Sequence, residues 1–232
     1  MGKNVLLIGF YNEKALGIRY PSNALNTNGY NAHILYFKGF NSVNPSKASK
    51  EELDLLENLI NEIKPSYIGL SVMSSPYLES VYLVNNRIRE KSNEPIIWGG
   101  VYSTLFPEEA LKYGDYVVQG EGELPLVELL NSLEQGKDPS QIENVVLHNE
   151  QKQLVKNSLR PLVQELDTLG YPKIGGDNVY FIHNDEIAYG DPQIKGFTCL
   201  FFLSPLEYPS SASSSASSIS WSTSLNISFR YE

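Results

Sequence analysis

Short apolar runs alternate with amphipathic segments along the first 150 residues of the chain. Apolar runs without polar alternation are typical of strands that are buried on both faces of a sheet. The runs predict five strands, over residues 5–10, 32–37, 67–73, 95–98 and 116–119, and a short final strand over 145–148.

The segments between these runs have the spacing of amphipathic helices. The clearest helix begins at Ser49, because Ser49 and Glu52 have the spacing of a capping box, and Pro65 ends it. Further helices are predicted over 17–28, 76–91, 107–113 and 124–133. Strands that alternate with helices require crossover connections. The predicted fold class is therefore α/β: a doubly wound, flavodoxin-like or Rossmann-like, parallel five-stranded sheet with helices on both faces, followed by an irregular C-terminal extension.

The pattern weakens after residue 148. Turn residues predict one hairpin at 149–152 and another over 179–189, and the stretch 159–174 is interpreted as a surface linker. Ten of the fifteen residues from 210 to 224 are serine, which predicts disorder because no core can form from them. We therefore divide the chain into an α/β domain at 1–150, a hairpin and linker segment at 151–195, and a serine-rich tail at 196–232.

Composition narrows the choice of partners. The formal net charge is −9 and the basic residues are scattered, so we expect no nucleic-acid partner. The chain has no apolar run of about 18 residues, so no membrane span is expected. Its first residues lack the features of a signal peptide, which favours a cytoplasmic location. The single cysteine, Cys199, excludes an internal disulfide and a thiolate cluster formed by this chain alone.

In doubly wound sheets, ligands bind beyond the carboxyl ends of the strands. The first such exit, at residues 9–13, has neither a G-x-G-x-x-G nor a P-loop pattern, and it is a poor match to the phosphate loop of a flavodoxin. The third exit, Met73-Ser74-Ser75, lacks the aspartate of a receiver domain. These common doubly wound families are therefore excluded.

The remaining exits are rich in small residues. Hydroxyl groups follow the third strand, Gly99-Gly100 follows the fourth, and residues 120–123, GEGE, follow the fifth. Glycine lets a bulky ligand approach the backbone closely, and the N–H groups at a helix start can bind oxygen atoms. Each feature also has a structural explanation: the glycines as a strand-to-helix turn, the serines as backbone caps, and the glutamates as favourable charges at a helix start.

Residues 98–111, WGGVYSTLFPEEAL, together with 115–123, DYVVQGEGE, resemble the N-terminal cobalamin (B12)-binding domain of B12-dependent radical SAM proteins. The resemblance covers about residues 3–150, and the sequence around Arg160-Pro161-Leu162 is similar to the segment that joins this domain to the radical SAM barrel. It implies a corrin ring over the carboxyl ends of the strands, with its nucleotide tail between them. The cofactor-binding residues that it implies are Tyr11, Gly17, Ser71, Val72, Met73, Ser74, Gly99, Gly100, Val101, Tyr102, Gly120, Glu121 and Gly122.

Two expected features of related proteins are missing from the sequence. Classical cobalamin carriers supply a cobalt ligand from D-x-H-x-x-G in the first loop, but the histidines here are His33, His148 and His183. The resemblance therefore implies cobalamin in the base-off state without a protein histidine ligand, and His33 is predicted to be a core or edge residue. The intact family also holds a 4Fe–4S cluster on C-x-x-x-C-x-x-C and uses S-adenosylmethionine, and one cysteine cannot hold that cluster.

The leading hypothesis is a cobalamin-binding module of a radical SAM enzyme, truncated before the barrel and inactive alone, from a parent that is a methyltransferase or a related radical enzyme. The alternative is a non-catalytic α/β binding or interaction domain without cobalamin. A hydrolase is disfavoured because there is no G-x-S-x-G motif. Two further expectations are that Gly100→Val blocks the ligand more than it harms the fold, and that the sequence after about Lys195 is a frame-disrupted or disordered continuation.

Overall fold

The computed structural model describes residues 2–165 and 169–197. Cys199 and most of the serine-rich tail, about which the sequence made predictions, lie outside the described residues. Within them, the chain forms one mixed, mostly parallel sheet with helices on both faces. The strands are β1 (Asn4–Phe10), β2 (Asn31–Phe37), β3 (Tyr67–Ser71), β4 (Ile96–Gly99), β5 (Tyr116–Val118), β6 (Val145–His148), β7 (Leu154–Lys156), β8 (Val179–His183) and β9 (Glu186–Tyr189).

The sheet has the strand order β7-β6-β5-β4-β3-β1-β2-β8-β9. The neighbours from β5 to β8 in this order are parallel, whereas β6, β7 and β9 add antiparallel edges. The chain steps from β1 to β2 on one side and then returns to β3 on the other, so the topological switch point lies between β1 and β3. This is where doubly wound sheets bind their ligands.

The helices are α1 (Arg19–Thr27), α2 (Lys50–Ile63), α3 (Leu78–Lys91), α4 (Val101–Leu105), α5 (Pro107–Ala110), α6 (Glu123–Glu134) and α7 (Pro192–Phe197). The capping box predicted for α2 is confirmed: the Ser49 hydroxyl accepts from the Glu52 N–H at 3.0 Å, and the Glu52 carboxylate accepts from the Ser49 N–H at 2.9 Å. No helix of the described residues is both long enough and apolar enough to cross a membrane.

Alternate residues of the buried strands pack into two separate cores, as their two-sided apolar pattern requires. On β1, Leu6 and Ile8 belong to the core under α2 and α3, whereas Val5 and Leu7 belong to the core under α1 and α6. Each core is formed by buried aliphatic and aromatic side chains. The helices α1 and α6 contact each other on their shared face, and their first turns lie at the carboxyl edge of the sheet.

The predicted number of five strands is wrong, because the sheet has nine. Both predicted hairpins are present, as β6–β7 and β8–β9, but they extend the sheet at its two edges. Strand β8 pairs with β2, which lies about 145 residues earlier in the chain, through Leu35↔Tyr180 and its neighbours. A pairing between such distant segments has no local sequence signal, which is why the extension was expected to be irregular.

Candidate functional site

A cavity of about 430 Å³ lies between the sheet and the first turns of α1 and α6. Its volume falls within the range of sites that hold organic ligands. Leu7 of β1, Ile97 of β4 and Val118 of β5 form its sheet side, and Ile18 and Leu126 close it from the helix side. The cavity includes the switch point between β1 and β3, so it lies where the fold class is expected to bind a ligand.

Small residues in register explain why the helices leave space here. In β3, Gly69 pairs with Leu7 on one side and with Ile97 on the other, and Ser71 pairs with Gly99. Since side chains alternate along a strand, Gly69 and Ser71 face the same side of the sheet as Leu7 and Ile97. Large apolar residues at these positions would fill the space that the cavity occupies.

Three glycines of the cavity wall have no conformational need to be glycine. A β-carbon at Gly17 would meet nothing within 4 Å, one at Gly99 only the Val118 carbonyl oxygen at 3.9 Å, and one at Gly122 only side-chain carbons at 3.7 and 4.0 Å. None of the three has a positive φ. Their side chains are therefore absent without a steric reason inside the protein, which fits a wall that a ligand approaches closely.

Gly100 is different, and the expectation for it is wrong. Its φ is +91°, and a β-carbon there would lie 2.6 Å from the carbonyl oxygen and 2.9 Å from the nitrogen of Val72. These are backbone atoms that cannot move away cheaply, and L-residues rarely adopt this φ. A side chain at position 100 would thus disrupt the contact between the end of β4 and the chain after β3 before it reached any ligand.

Four polar side chains line the cavity, and two of them are engaged within the protein. The Thr104 hydroxyl donates to the Gly100 carbonyl at 3.0 Å and accepts from the Gly120 N–H at 2.8 Å. The Glu121 carboxylate accepts from the N–H of Val163 at 3.0 Å, which fixes the segment after β7 beside the cavity. The remaining two are Ser71 and Glu123.

Glu123 carries an unpartnered buried atom. Its Oε2 has no hydrogen-bond partner among the described residues and is shielded from solvent. Burial raises the pKa of the Glu123 carboxyl, the N–H of its own residue opposes this shift, and Glu121 adds to it. No lysine or arginine lines the cavity of the described chain. The site is therefore suited to an uncharged ligand group that offers a hydrogen bond.

The structure brings most of the sequence-predicted residues together. Nine of the thirteen line the cavity: Gly17, Ser71, Met73, Gly99, Gly100, Val101, Gly120, Glu121 and Gly122. The other four are Tyr11, Val72, Ser74 and Tyr102, which are not part of the lining. For Tyr11, Val72 and Tyr102 the reason is that their side chains pack on the other side of the sheet, in or against the core under α2 and α3.

The Tyr11 hydroxyl is 2.6 Å from both the Ser46 carbonyl oxygen and the Ser80 hydroxyl, so its ring packs on the face that holds α3. Val72 is completely buried in that same core. Tyr102 packs against Phe106 with ring centroids 5.2 Å apart. Ser74 immediately precedes the 3₁₀ turn Ser75–Tyr77 and makes no side-chain cap bond there.

Eleven of the twenty lining residues were not among the residues predicted from the sequence. A signal was available in Gly69, since a glycine inside an apolar strand often marks the close approach of a ligand or another backbone. The other apolar residues were interpreted as core or not assigned, because an apolar wall and a packed core have the same composition. Thr104 and Glu123 lie in strand exits that the sequence singled out, but they were given no binding role. The missed residues are Leu7, Ile18, Pro21, Gly69, Leu70, Ile97, Thr104, Leu105, Val118, Glu123 and Leu126.

Histidines and metal-binding clusters do not contribute to the cavity. His33 is 7% exposed and its Nδ1 lies 3.2 Å from the Tyr180 hydroxyl, as a core or edge residue should. His148 ends β6, and His183 accepts from the Gly39 N–H at 3.2 Å. Among the described residues, no three His, Cys, Asp or Glu side chains are grouped so that they could hold a metal ion.

A buried ion pair anchors the helix that begins beside the cavity. Arg19, which follows the lining residue Ile18, donates to both carboxylate oxygens of Asp191 at 2.7 and 2.8 Å. Burial alone would raise the pKa of Asp191, but Arg19 and the N–H groups of Gly175 and Gln193 hold it below its usual value. The C-terminal extension is thereby tied to the start of α1.

The sequence matches the B12 binding domain family over residues 10–130. This match covers more than half of the chain, so the chain belongs to that family. The matched range contains the carboxyl edge of strands β2 to β5 and most of the cavity wall. The predicted membership of the B12-binding domain family is therefore confirmed.

The relatives that match this chain are longer proteins. The chain is 23% identical to the uncharacterized methyltransferase PH0819 of Pyrococcus horikoshii over 66% of its own length and 34% of the relative's. Its fold is similar to that of the radical S-adenosylmethionine methyltransferase TsrM of Kitasatospora setae with cobalamin and a 4Fe–4S cluster bound, with a TM-score of 0.54 and 19% identity over 71% of this chain and 30% of that one. The cobalamin-dependent S-adenosylmethionine radical enzyme OxsB with aqua-cobalamin bound gives a TM-score of 0.52 and 17% identity over 69% and 23%. The chain thus spans about a third or less of the length of these relatives.

Proposed function

We propose that this chain is the cobalamin-binding module of a B12-dependent radical SAM enzyme and that its cavity receives the nucleotide tail of the cofactor. The main observation behind the proposal is that three glycines in the cavity wall leave space that the protein itself does not need. Gly17, Gly99 and Gly122 could each accept a β-carbon without a clash within the protein, yet all three lack one and line one cavity. The family match explains which bulky ligand would use that space.

The residues present fit the tail of cobalamin. Its benzimidazole base is flat and uncharged, which suits a slot between the apolar side chains of Leu7, Ile97 and Leu126. Above the slot, the exposed rim of Met73, Val101 and Leu105 would face the corrin ring. The predicted binding residues that line the cavity keep their proposed roles, whereas the side chains of Tyr11, Val72 and Tyr102 would act only by shaping the backbone.

We further propose that cobalamin binds in the base-off state without a histidine from this chain. The reason is that His33, His148 and His183 all lie away from the cavity lining. Bound cobalamin supplies a cobalt centre that can carry a methyl group. This chain's own residues would hold the tail, orient the ring and exclude water from the slot.

Chemistry on a substrate is assigned to the rest of a longer protein. TsrM is a methyltransferase that binds a 4Fe–4S cluster, and a parent of the same class would use S-adenosylmethionine and that cluster in a radical SAM domain. We propose no catalytic residue in this chain, and we expect a methyltransferase or related radical reaction from the parent.

Incubation of the purified 232-residue chain with hydroxocobalamin, followed by desalting, tests the proposal. Retention of the corrin spectrum at about one equivalent per folded chain is the expected result. A folded chain that retains no corrin would instead support the alternative, an α/β binding or interaction domain that does not use cobalamin.

A further inference from the structure

The polar side chains of the cavity differ in what is left for a ligand to bind. Thr104 uses its hydroxyl both to donate and to accept within the protein, and Glu121 accepts from the Val163 N–H. Glu123 is the first residue of α6 and lines the same cavity, but its Oε2 has no partner within the described chain. A buried oxygen without a partner is unfavourable, so proteins rarely keep one unless another group completes it.

The surroundings of Glu123 determine which kind of group that would be. Glu123 also borders a smaller pocket whose wall contains Arg160, but the wall of the larger cavity contains no lysine or arginine within the described chain, and Glu121 is the other carboxylate in it. A phosphate oxygen would be repelled by these carboxylates, and an apolar group would leave Oε2 unsatisfied. The complementary group is an uncharged hydrogen-bond donor, such as a hydroxyl.

The depth of the cavity limits which part of cobalamin can supply the hydrogen-bond donor. The slot lies between the sheet and two helices, so only the tail of the cofactor is narrow enough to enter it. The benzimidazole base carries no N–H and the phosphodiester carries no donor at neutral pH. The amide N–H of the aminopropanol linker lies next to the corrin ring, outside the slot, and cobinamide carries it too. The sugar of the tail carries hydroxyl groups, and it lies between the phosphate and the base.

We propose that Glu123 determines specificity for the nucleotide tail: when cobalamin binds, its side chain turns so that the shielded Oε2 faces the cavity and accepts a hydrogen bond from a ribose hydroxyl of the cofactor. This inference rests on the proposed function. Burial raises the pKa of the carboxyl, so the cost of keeping it charged at neutral pH is reduced when the hydroxyl donates to it. Glu123 would thus distinguish cobalamin from corrinoids that lack the nucleotide.

The test compares hydroxocobalamin with cobinamide, which has the corrin ring but no phosphate, ribose or base. Dissociation constants are measured for the wild-type chain, Glu123→Ala, Glu123→Gln and the control Glu150→Gln. Glu150 is exposed in the β6–β7 turn, so its variant removes one negative charge outside the cavity. Thermal unfolding of each variant checks that the fold is kept.

Loss of the acceptor in Glu123→Ala should weaken hydroxocobalamin binding by about tenfold, the order of one hydrogen bond to a charged group. Glu123→Gln keeps a carbonyl oxygen and should recover most of that loss. Cobinamide binding should be unchanged in every variant. Equal weakening of both ligands, or no effect of Glu123→Ala on hydroxocobalamin, would overturn the assignment. A folded wild-type chain that fails to bind hydroxocobalamin would overturn the proposed function itself.

Discussion

Gly99 and Gly100 are neighbours in the chain, but only Gly100 has to be glycine for the fold. A β-carbon at Gly99 meets the Val118 carbonyl oxygen at 3.9 Å, whereas one at Gly100 would lie 2.6 Å from the Val72 carbonyl oxygen. Gly100 also has a φ of +91°, which strains any L-residue. The pair therefore separates a glycine that leaves room for a ligand from a glycine that the backbone requires.

We expect Gly99→Ala to weaken cobalamin binding with little effect on folding. The added methyl group enters the cavity, and a methyl forced into filled space costs about 1–3 kcal/mol, which corresponds to roughly 5- to 150-fold in affinity. The free energy of unfolding should change by less than about 1 kcal/mol, because no contact is tighter than van der Waals distance. Titration with hydroxocobalamin and denaturant unfolding measure the two effects.

Gly100→Ala is the matched variant with the opposite expectation. Strain at its positive φ costs about 1–3 kcal/mol, and the clash with the Val72 backbone adds to it. Its unfolding midpoint should fall well below that of Gly99→Ala. Equal stability of the two variants, or unaltered cobalamin binding by Gly99→Ala, would show that the glycines do not have these separate roles.

The stability of the ligand-free chain should depend on pH through Glu123. Its pKa is raised in the folded state, so folding binds a proton in the range between the ordinary glutamate pKa and the raised value. The contribution is fully present below the ordinary pKa and is lost as the pH rises through the folded pKa. Glu123→Gln cannot titrate, so its stability relative to wild type should increase from pH 5 to pH 8. Thermal unfolding at the two values measures this change, and a difference that does not vary with pH would argue against a buried carboxyl.

Removing one partner of the buried pair between Arg19 and Asp191 should strongly destabilise the chain. Both side chains are at most 1% exposed, so Asp191→Asn would leave a buried guanidinium without its counter-charge. Such a loss costs about 3–5 kcal/mol. Urea unfolding at pH 7 should show it.

The same pair predicts the response to acid. The pKa of Asp191 is lowered in the folded state, so its contribution is present above the ordinary aspartate pKa and is lost as the pH falls through the folded pKa. In strong acid, the wild-type chain should therefore be no more stable against unfolding than Asp191→Asn. If the two chains were equally stable at pH 7, the extension would not be held to α1 by this contact.

The axial ligand of bound cobalamin can be read by electron paramagnetic resonance. Because the described histidines lie outside the cavity lining, the cob(II)alamin complex should show no superhyperfine splitting from an axial nitrogen. Free cob(II)alamin at neutral pH, with its own base coordinated, is the positive control. Nitrogen splitting in the protein complex would contradict binding in the base-off state.

Local patterns in the sequence were sufficient to predict most of the strands of the parallel sheet and the residues at the mouth of the cavity. The strand predicted over 145–148 is present as β6, and the α2 capping box was visible because Ser49 and Glu52 are close in sequence. The helix α4 was missed because its five residues follow Gly99-Gly100 directly and form little more than one turn. The pairing of β8 with β2 and the apolar depth of the cavity depend on contacts between distant segments, for which no local signal exists.

Hydrogen exchange of the wild-type chain with and without hydroxocobalamin shows whether cobalamin occupies the cavity between the sheet, α1 and α6. We expect the bound cofactor to slow exchange in peptides that cover residues 69–73, 99–105 and 120–126, which contain the lining of β3, β4 and α6. Peptides of the β6–β7 hairpin, which lies outside the lining, should exchange at the same rate in both states. If the chain retains the corrin but the exchange rates of the three cavity segments do not change, cobalamin does not bind in this cavity.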